Sequence, residues 1–449
     1  MKREHLKSRL GFILISAGCA IGIGNVWKFP YVVGENGGGA FVFIYLFFLL
    51  VLGVPILTME FAIGRAAQKT PIQLYQELEP KGTWWHLHGY LCLLGNILLM
   101  MFYTVVAGMM FKYFVTTMTG GFAGISNQGI TDMYSSMLLD PVGLIIYTYM
   151  IIIIASFVCT KGLQNGLEKV SQFMMVSLLG ILFILVFNSL FIEGGKEGLS
   201  FYLSFDFEKI KEIGLGTVVV NAMNQAFFTL SIGMGTMAIF GSYIGKERAL
   251  LGESMNIAFL DTFVAICSGL IIFPACSAYG VQVNSGPHLI FITLPNIFNH
   301  MTLGQLWGSL FFIFMTFAAL STVLAVFEAI ISCLCDLFTW SRKKACLINC
   351  IFMLILCLPT ILGFSVFSDL SLLGLNIMDF IDSIVSVWIL PLGSLIVLLF
   401  CTRKNGWGWN QFVIEANSGK GIKIKKWMKP HLTYTLPILI LVVFLLGVF

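Results

Sequence analysis

The sequence predicts an all-α protein that crosses a lipid bilayer many times, and two observations lead to this prediction. Hydrophobic residues occupy 58% of the 449 positions and charged residues 11%, and the mean hydropathy is +0.92. Apolar runs of about 20 residues, the length of a membrane-spanning helix, recur along the whole chain. A soluble enzyme of this length would have a far more polar composition.

Eleven apolar runs are long enough to span the bilayer. They lie at residues 10–35, 40–65, 88–116, 141–159, 168–192, 214–240, 252–280, 303–337, 345–363, 374–401 and 430–448. Lys and Arg are concentrated in alternate loops, beginning with the N-terminal residues. Because positively charged loops stay in the cytoplasm, we expect a multi-pass cell-membrane protein with a cytoplasmic N-terminus and an extracytoplasmic C-terminus.

The first span contains residues that interrupt a helix. Gly18, Gly22 and Gly24 stand close together before Pro30, and a glycine inside a helix costs roughly 1 kcal/mol relative to alanine. In a bilayer core, unwound backbone survives only inside protein or beside a wet cavity. This break therefore predicts a polar site at membrane depth.

The sixth span is interrupted in the same way, at Gly233 and Gly235. Two broken spans at matching places in successive sets of five predict an inverted-repeat transporter, with the substrate site at the breaks. We expect a 5+5 fold with discontinuous helices 1 and 6, plus an eleventh helix. The chain would form a single transporter domain, 1–449, with a first repeat at 10–192, a second inverted repeat at 214–401 and the additional helix at 430–448.

Ionisable side chains inside spans are costly, by roughly 3 kcal/mol each, so each one suggests a function. A pair of Lys28 with Asp379 is a candidate outer gate, and a pair of Arg3 with Asp336 a candidate inner gate. The alternative is that these boundary side chains extend to water. The set consists of Lys28, Glu60, Asp261, Glu328, Asp336, Asp379 and Asp382.

Asp261 has no cation near it in the sequence, so a bound ion is expected beside it. The breaks supply backbone carbonyls, and nearby side chains supply amide and hydroxyl oxygens, a donor set that suits an alkali cation. The donors are Asn25, Thr229, Ser231, Ser321 and Thr322. Half-helix N-termini at the breaks attract a carboxylate, which favours an amino-acid-like substrate. The net charge of +4 gives no indication of nucleic acid binding.

Four runs together resemble the neurotransmitter:sodium symporter family. They are Gly18–Tyr31, Glu35–Phe41, Glu60–Arg65 and Gln225–Gly235. The resemblance covers essentially all spans, and eleven spans are typical of the short bacterial amino-acid members. It implies transport of a small-molecule substrate, an amino acid, across the lipid bilayer coupled to Na+, and no enzymatic activity.

The resemblance also implies specific roles for residues of this chain. One sodium site would use the Ala20 carbonyl, Asn25, Thr229, Asp261 and the substrate carboxylate. The other would use the carbonyls of Gly18, Ile21 and Ala318 with the hydroxyls of Ser321 and Thr322. Substrate would be held by Ala20, Ile23, Gly24, Tyr103, Phe228, Thr229, Ser231, Met234, Thr322 and Val326. Tyr103 and Phe228 would form an aromatic lid, Lys28 and Asp379 the outer gate, and Arg3, Tyr243 and Asp336 the inner gate.

Three departures from the family pattern refine these expectations. Lys28 replaces the usual Arg, so a bidentate grip on Asp379 is lost. Asp261 replaces the usual Asn, and a built-in carboxylate near the position of the family's chloride predicts chloride independence. Met234 replaces a common Phe, and its flexible thioether favours hydrophobic substrates that include aromatic ones.

Three other functions remain open at the level of sequence. A proton-coupled carrier of an amino acid or related amine would titrate Asp261 or Glu328 in place of sodium. A substrate-gated channel or receptor would pass ions without coupled solute movement. A membrane enzyme would need a nucleophile and base, a combination that the spans do not contain.

Overall fold

The computed structural model describes residues 6, 8–280 and 288–448. In this part of the chain, nine helices are long and apolar enough to cross a membrane, and two half-helices bent by 54° at a break form a tenth span. The remaining predicted span is built from two short helices around the second break. All eleven predicted spans are therefore present as helices, and the predicted all-α fold is confirmed.

The first five spans occupy the N-terminal part of the chain. Their helices are α1 (Arg9–Ala20), α2 (Gly24–Glu35), α3 (Gly39–Ala67), α4 (Pro71–Leu78), α5 (Leu87–Met118), α6 (Asn127–Leu139), α7 (Pro141–Thr160) and α8 (Leu163–Leu190). Helices α4 and α6 are short and lie between spans. Ser8 begins α1 by accepting a hydrogen bond from the Gly11 N–H, which satisfies one of the free donors at the helix start.

The second half of the chain is also helical. It contains α9 (Lys196–Leu203), α10 (Phe207–Ile213), α11 (Leu215–Thr229), α12 (Thr236–Gly241), α13 (Leu250–Ala278), α14 (Leu289–Thr293 continued by Leu294–His300), α15 (Gly304–Phe338), α16 (Arg342–Leu362), α17 (Ile377–Thr402), α18 (Trp409–Ala416) and α19 (Met428–Gly447). Span 6 consists of α11 and α12. Its break includes Ser231, Gly233 and Gly235 with φ of +50°, +94° and +70°, a conformation that glycine adopts without strain.

Both breaks lie inside the helix bundle. Helices α5 and α15 pack against each other along much of their length, and α1 packs against α13 and α15. Helix α12 packs against α3. The unwound residues are therefore surrounded by protein, as freed backbone groups at membrane depth require.

A buried arginine ties the α17–α19 connection to span 2. Arg65, at the end of α3, donates from Nε to Glu415 Oε1 of α18 at 2.6 Å and from Nη1 to the Arg248 carbonyl at 2.8 Å. The Lys246 ammonium lies 3.0 Å from Glu415 Oε2. This cluster joins α18 to the α12–α13 connection on the face of the molecule that carries Arg9, which we call the N-terminal face.

Candidate functional site

The two breaks lie side by side. Ser231 Oγ donates to the Cys19 carbonyl at 3.4 Å, and Gln225 Nε2 donates to the Gly24 carbonyl at 3.3 Å. Residues from the sixth span thus satisfy carbonyls that the first break frees. A backbone-lined polar site is the result, as the glycine pattern predicts.

A cavity opens where the breaks meet, and most of the predicted substrate residues line it. Those are Ala20, Gly24, Tyr103, Phe228, Ser231, Met234 and Thr322. Ile23 lines a second cavity on the far side of Tyr103 and Phe228. Thr229 and Val326 are buried but line neither cavity. Five residues that sequence reasoning did not select as substrate contacts complete the wall, namely Cys19, Gly22, Leu99, Val385 and Leu390.

Glycine is required at two positions of the wall because side chains of neighbouring helices approach the backbone closely. A Cβ on Gly22 would collide with the Tyr103 hydroxyl and lie 2.6 Å from Thr322 Oγ1. A Cβ on Gly24 would lie 2.7 Å from the Phe228 ring. Tyr103 Oη accepts the Ile23 N–H at 2.9 Å. Because Gly22 and Gly24 carry no side chain, the backbone at the start of α2 lines the cavity, where its partial positive charge favours a carboxylate.

The residues of the first predicted sodium site lie together around Asp261. Asn25 Nδ2 donates to Asp261 Oδ1 at 2.8 Å, and Thr229 Oγ1 donates to Asp261 Oδ2 at 2.8 Å. Asp261 and Asn25 are fully buried. No Lys or Arg of the described residues forms an ion pair with Asp261, so its charge lacks a protein cation there. Ala20, the remaining predicted ligand, lines the adjacent cavity.

The residues of the second predicted sodium site also come together, between α1 and α15. Thr322 Oγ1 lies 3.4 Å from the Gly18 carbonyl and 3.4 Å from the Ala318 carbonyl. Ser321 Oγ lies 2.9 Å from the Ala318 carbonyl and 3.5 Å from the Ile21 carbonyl. Three carbonyls and two hydroxyls form an oxygen-only cluster, which is the chemistry of a hard alkali cation.

Tyr103 and Phe228 separate the cavity at the breaks from the second cavity, since both side chains line each of them. The second cavity, which we call the vestibule, is also lined by Lys28, Asp379 and Asp382. The two aromatic residues therefore occupy the position expected of a lid.

The ion pair above the lid differs from the expected one. Lys28 Nζ lies 3.6 Å from Asp382 Oδ2 and 4.1 Å from the centre of the Phe228 ring. Asp379 instead accepts a hydrogen bond from Asn376 Nδ2 at 2.7 Å, within the first turn of α17. The two carboxylates lie one helical turn apart on the same face, so the sequence could not decide between them.

The predicted inner gate is only partly described. Arg3 lies outside the described residues. Asp336 Oδ2 accepts the Thr70 N–H at 3.2 Å. Tyr243 Oη donates to Glu328 Oε1 at 2.8 Å.

Sequence reasoning missed the partner of Glu328. Glu328 is fully buried and bonded by the Arg342 guanidinium, with Nη1 3.0 Å from Oε1 and Nη2 bonded to Oε2. Arg342 begins α16, so the pair joins α15 to α16, and Tyr243 extends the network to the end of α12. The sequence indicated Glu328 as a candidate functional residue because a carboxylate within a span is costly. Nothing in the sequence identified Arg342 as its partner.

Glu60 has a structural role at the second break. Its Oε1 accepts the Gly233 N–H at 2.6 Å, and the side chain is fully buried. The free N–H groups before α12 carry partial positive charge, which a carboxylate stabilises. The sequence indicated Glu60 as a candidate functional residue because burying a charge is costly, but it assigned no role to this residue.

Comparisons with known proteins point to one family. The sequence profile described as the sodium:neurotransmitter symporter family matches residues 3–136 and 126–449. The chain is 32% identical to a sodium-dependent transporter of Bacillus subtilis, YhdH, over 98% of this chain and 96% of that protein. It is 29% identical to a sodium-dependent transporter of Haemophilus influenzae over 100% of this chain and 99% of that one. The crystal structure of MhsT in complex with L-phenylalanine covers 100% of both chains with a TM-score of 0.90 and 36% identity.

Proposed function

This chain belongs to the sodium:neurotransmitter symporter family, and from that premise we propose that it takes up a hydrophobic L-amino acid, aromatic ones included, together with sodium and without chloride. The observation that carries the proposal is the pair of oxygen clusters that flank one cavity at the two breaks. The similarity to a transporter solved with L-phenylalanine supports the substrate class.

The two clusters have different roles in this proposal. Ala20, Asn25, Thr229 and Asp261 hold the first sodium ion, which the substrate carboxylate also contacts. Substrate and ion then stabilise each other's binding directly. Gly18, Ile21, Ala318, Ser321 and Thr322 hold the second ion between α1 and α15. That ion ties the first break to a helix of the opposite repeat.

Transport proceeds by alternating access. Spans 1, 2, 6 and 7 rock against spans 3, 4, 8 and 9, and the lid of Tyr103 and Phe228 closes over bound substrate. At a membrane potential of about 100 mV, each co-transported charge contributes roughly 2.3 kcal/mol to accumulation. Sodium binding therefore both completes the site and supplies the driving force.

Chloride independence follows from Asp261 in this proposal. A fixed carboxylate beside the first sodium ion compensates its charge, so no mobile anion is needed. The absence of an ion pair between Asp261 and any Lys or Arg in the described part of the chain supports this role. We further place the protein in the cell membrane with its N-terminal face towards the cytoplasm, since positive residues are concentrated on that side.

Uptake into proteoliposomes tests the proposal. Purified full-length protein is reconstituted, and uptake of labelled tryptophan, tyrosine and leucine is followed with and without an inward sodium gradient and with chloride replaced by gluconate. We expect accumulation that requires sodium and is unchanged by gluconate. Uptake driven by a proton gradient in sodium-free buffer would instead support the proton-coupled carrier.

A further inference from the structure

The cavity at the breaks has one polar end and one apolar end. Gly22, Ser231 and Thr322 form the polar end beside the oxygen clusters. The apolar end lies between α5, the second break and α17. Its wall is made by Leu99, Met234, Val385 and Leu390.

The side chains of the apolar wall are buried. Val385 is fully buried, and Leu390, Met234 and Leu99 are 1%, 2% and 4% exposed. Val385 lies in a π-helical turn of α17, Ile384–Ile389, and Leu390 follows that turn directly. A π turn inserts an extra residue and displaces the side chains around it. Here it brings two apolar residues of span 10 into a cavity otherwise built by spans 1, 3, 6 and 8.

Close contact at Gly95 limits the depth of the apolar end. Gly95 precedes Leu99 by one helical turn on α5. A Cβ at position 95 would lie 2.8 Å from Ile389 Cγ2 and 3.3 Å from Met234 Sδ. Helix α5, the second break and α17 therefore meet just beyond Leu99, and the space available to a ligand ends there.

In the proposed function the substrate side chain occupies this apolar end, and we propose that Val385 and Leu390 of α17 set the upper limit on its size. This inference rests on the proposed function and adds a specificity-determining element to it. The ammonium and carboxylate of an amino acid bind at the polar end, so its side chain points to the opposite wall. A wall of aliphatic groups with one flexible thioether accepts branched aliphatic and aromatic side chains and rejects polar ones.

Filling the apolar end tests the assignment. Val385→Phe is compared with Val387→Phe, which makes the same change two residues along α17 at a position that does not line the cavity. Sodium-driven uptake of valine, leucine, phenylalanine and tryptophan is measured in proteoliposomes. We expect Val385→Phe to raise KM for phenylalanine and tryptophan at least about tenfold relative to valine, because pocket walls discriminate side chains by steric fit. Val387→Phe should keep the wild-type order of substrates.

A second variant keeps the assignment testable if Val385→Phe does not fold. Val385→Ala enlarges the same wall and should improve tryptophan uptake relative to leucine, the opposite change in selectivity. Equal effects of the Val385 variants on all four substrates, or the same selectivity change in Val387→Phe, would overturn the assignment. If the wild-type protein transports none of these amino acids under a sodium gradient, the proposed function itself fails, and the two failures are thereby distinguished.

Discussion

At Asp261 a structural cost coincides with a proposed function. Both of its carboxylate oxygens accept hydrogen bonds, from Asn25 and Thr229, yet no Lys or Arg in the described ranges pairs with it. Hydrogen bonds alone compensate a buried charge poorly. A cation bound beside the carboxylate would remove this cost, which is why the residue indicates an ion site.

Replacing Asp261 by Asn should make transport dependent on chloride. The variant keeps the shape of the side chain and removes its charge, so the first sodium ion loses its fixed counterion. We expect uptake in gluconate buffer to fall about tenfold or more, equivalent to about 1.4 kcal/mol, with partial recovery when chloride is added. Asp132→Asn, at an exposed position of α6, is the matched control. Unchanged sodium affinity together with unchanged chloride independence would contradict this role.

Adding a single methyl group at Gly22 should weaken substrate binding. A methyl group there would collide with the Tyr103 hydroxyl and crowd Thr322 Oγ1. We expect Gly22→Ala to lower substrate affinity at least about tenfold, since misplacement of the binding groups by an ångström has effects of this size. Binding of labelled substrate to purified protein measures the loss. Gly180→Ala, on α8 with no atom within 4 Å of the added carbon, should bind like the wild type.

At the scale of helices, the sequence predicts what depends on local composition. Apolar length predicted the spans, and clustered glycines predicted the breaks, because both properties are determined within one segment. Pairings between distant helices depend on their rotation and tilt. For this reason the sequence predicted Asp379 as the partner of Lys28, whereas the structure pairs Lys28 with Asp382. Nothing in the sequence indicated Val385, an ordinary apolar residue of a span.

The Glu328–Arg342 pair makes a prediction about how α15 and α16 are held together. Arg342→Met leaves a fully buried carboxylate without its cation, and breaking such a pair typically costs about 3–5 kcal/mol. Thermal unfolding in detergent should show a marked loss of stability. The double variant Arg342→Met with Glu328→Gln removes the charge as well and should recover much of it. A double variant no more stable than the single one would show that the ion pair is not the cause.

At the scale of the whole molecule, the proposed outer gate and the proposed lid share one side chain. The Lys28 ammonium of α2 contacts both Asp382 on α17 and the Phe228 ring on α11. The vestibule is therefore crossed by a link from the first span, through the aromatic lid, to the tenth. In the alternating-access cycle that we propose, this link breaks whenever substrate enters or leaves through the vestibule.

Removing the carboxylate of this link should speed the release of substrate without altering the site below. Lys28 and Asp382 are each about one-third exposed, with side-chain exposures of 32% and 33%, and an ion pair of that exposure contributes up to about 1 kcal/mol. Asp382→Asn should therefore accelerate dissociation of labelled substrate by about two- to fivefold, since 1.4 kcal/mol corresponds to a factor of ten. Asp379→Asn, one turn away and bonded to Asn376, is the matched control and should dissociate at the wild-type rate. The opposite ranking of the two variants would mean that Lys28 exchanges to Asp379 when the substrate is bound, and that the gate pairing seen here belongs to another step of the cycle.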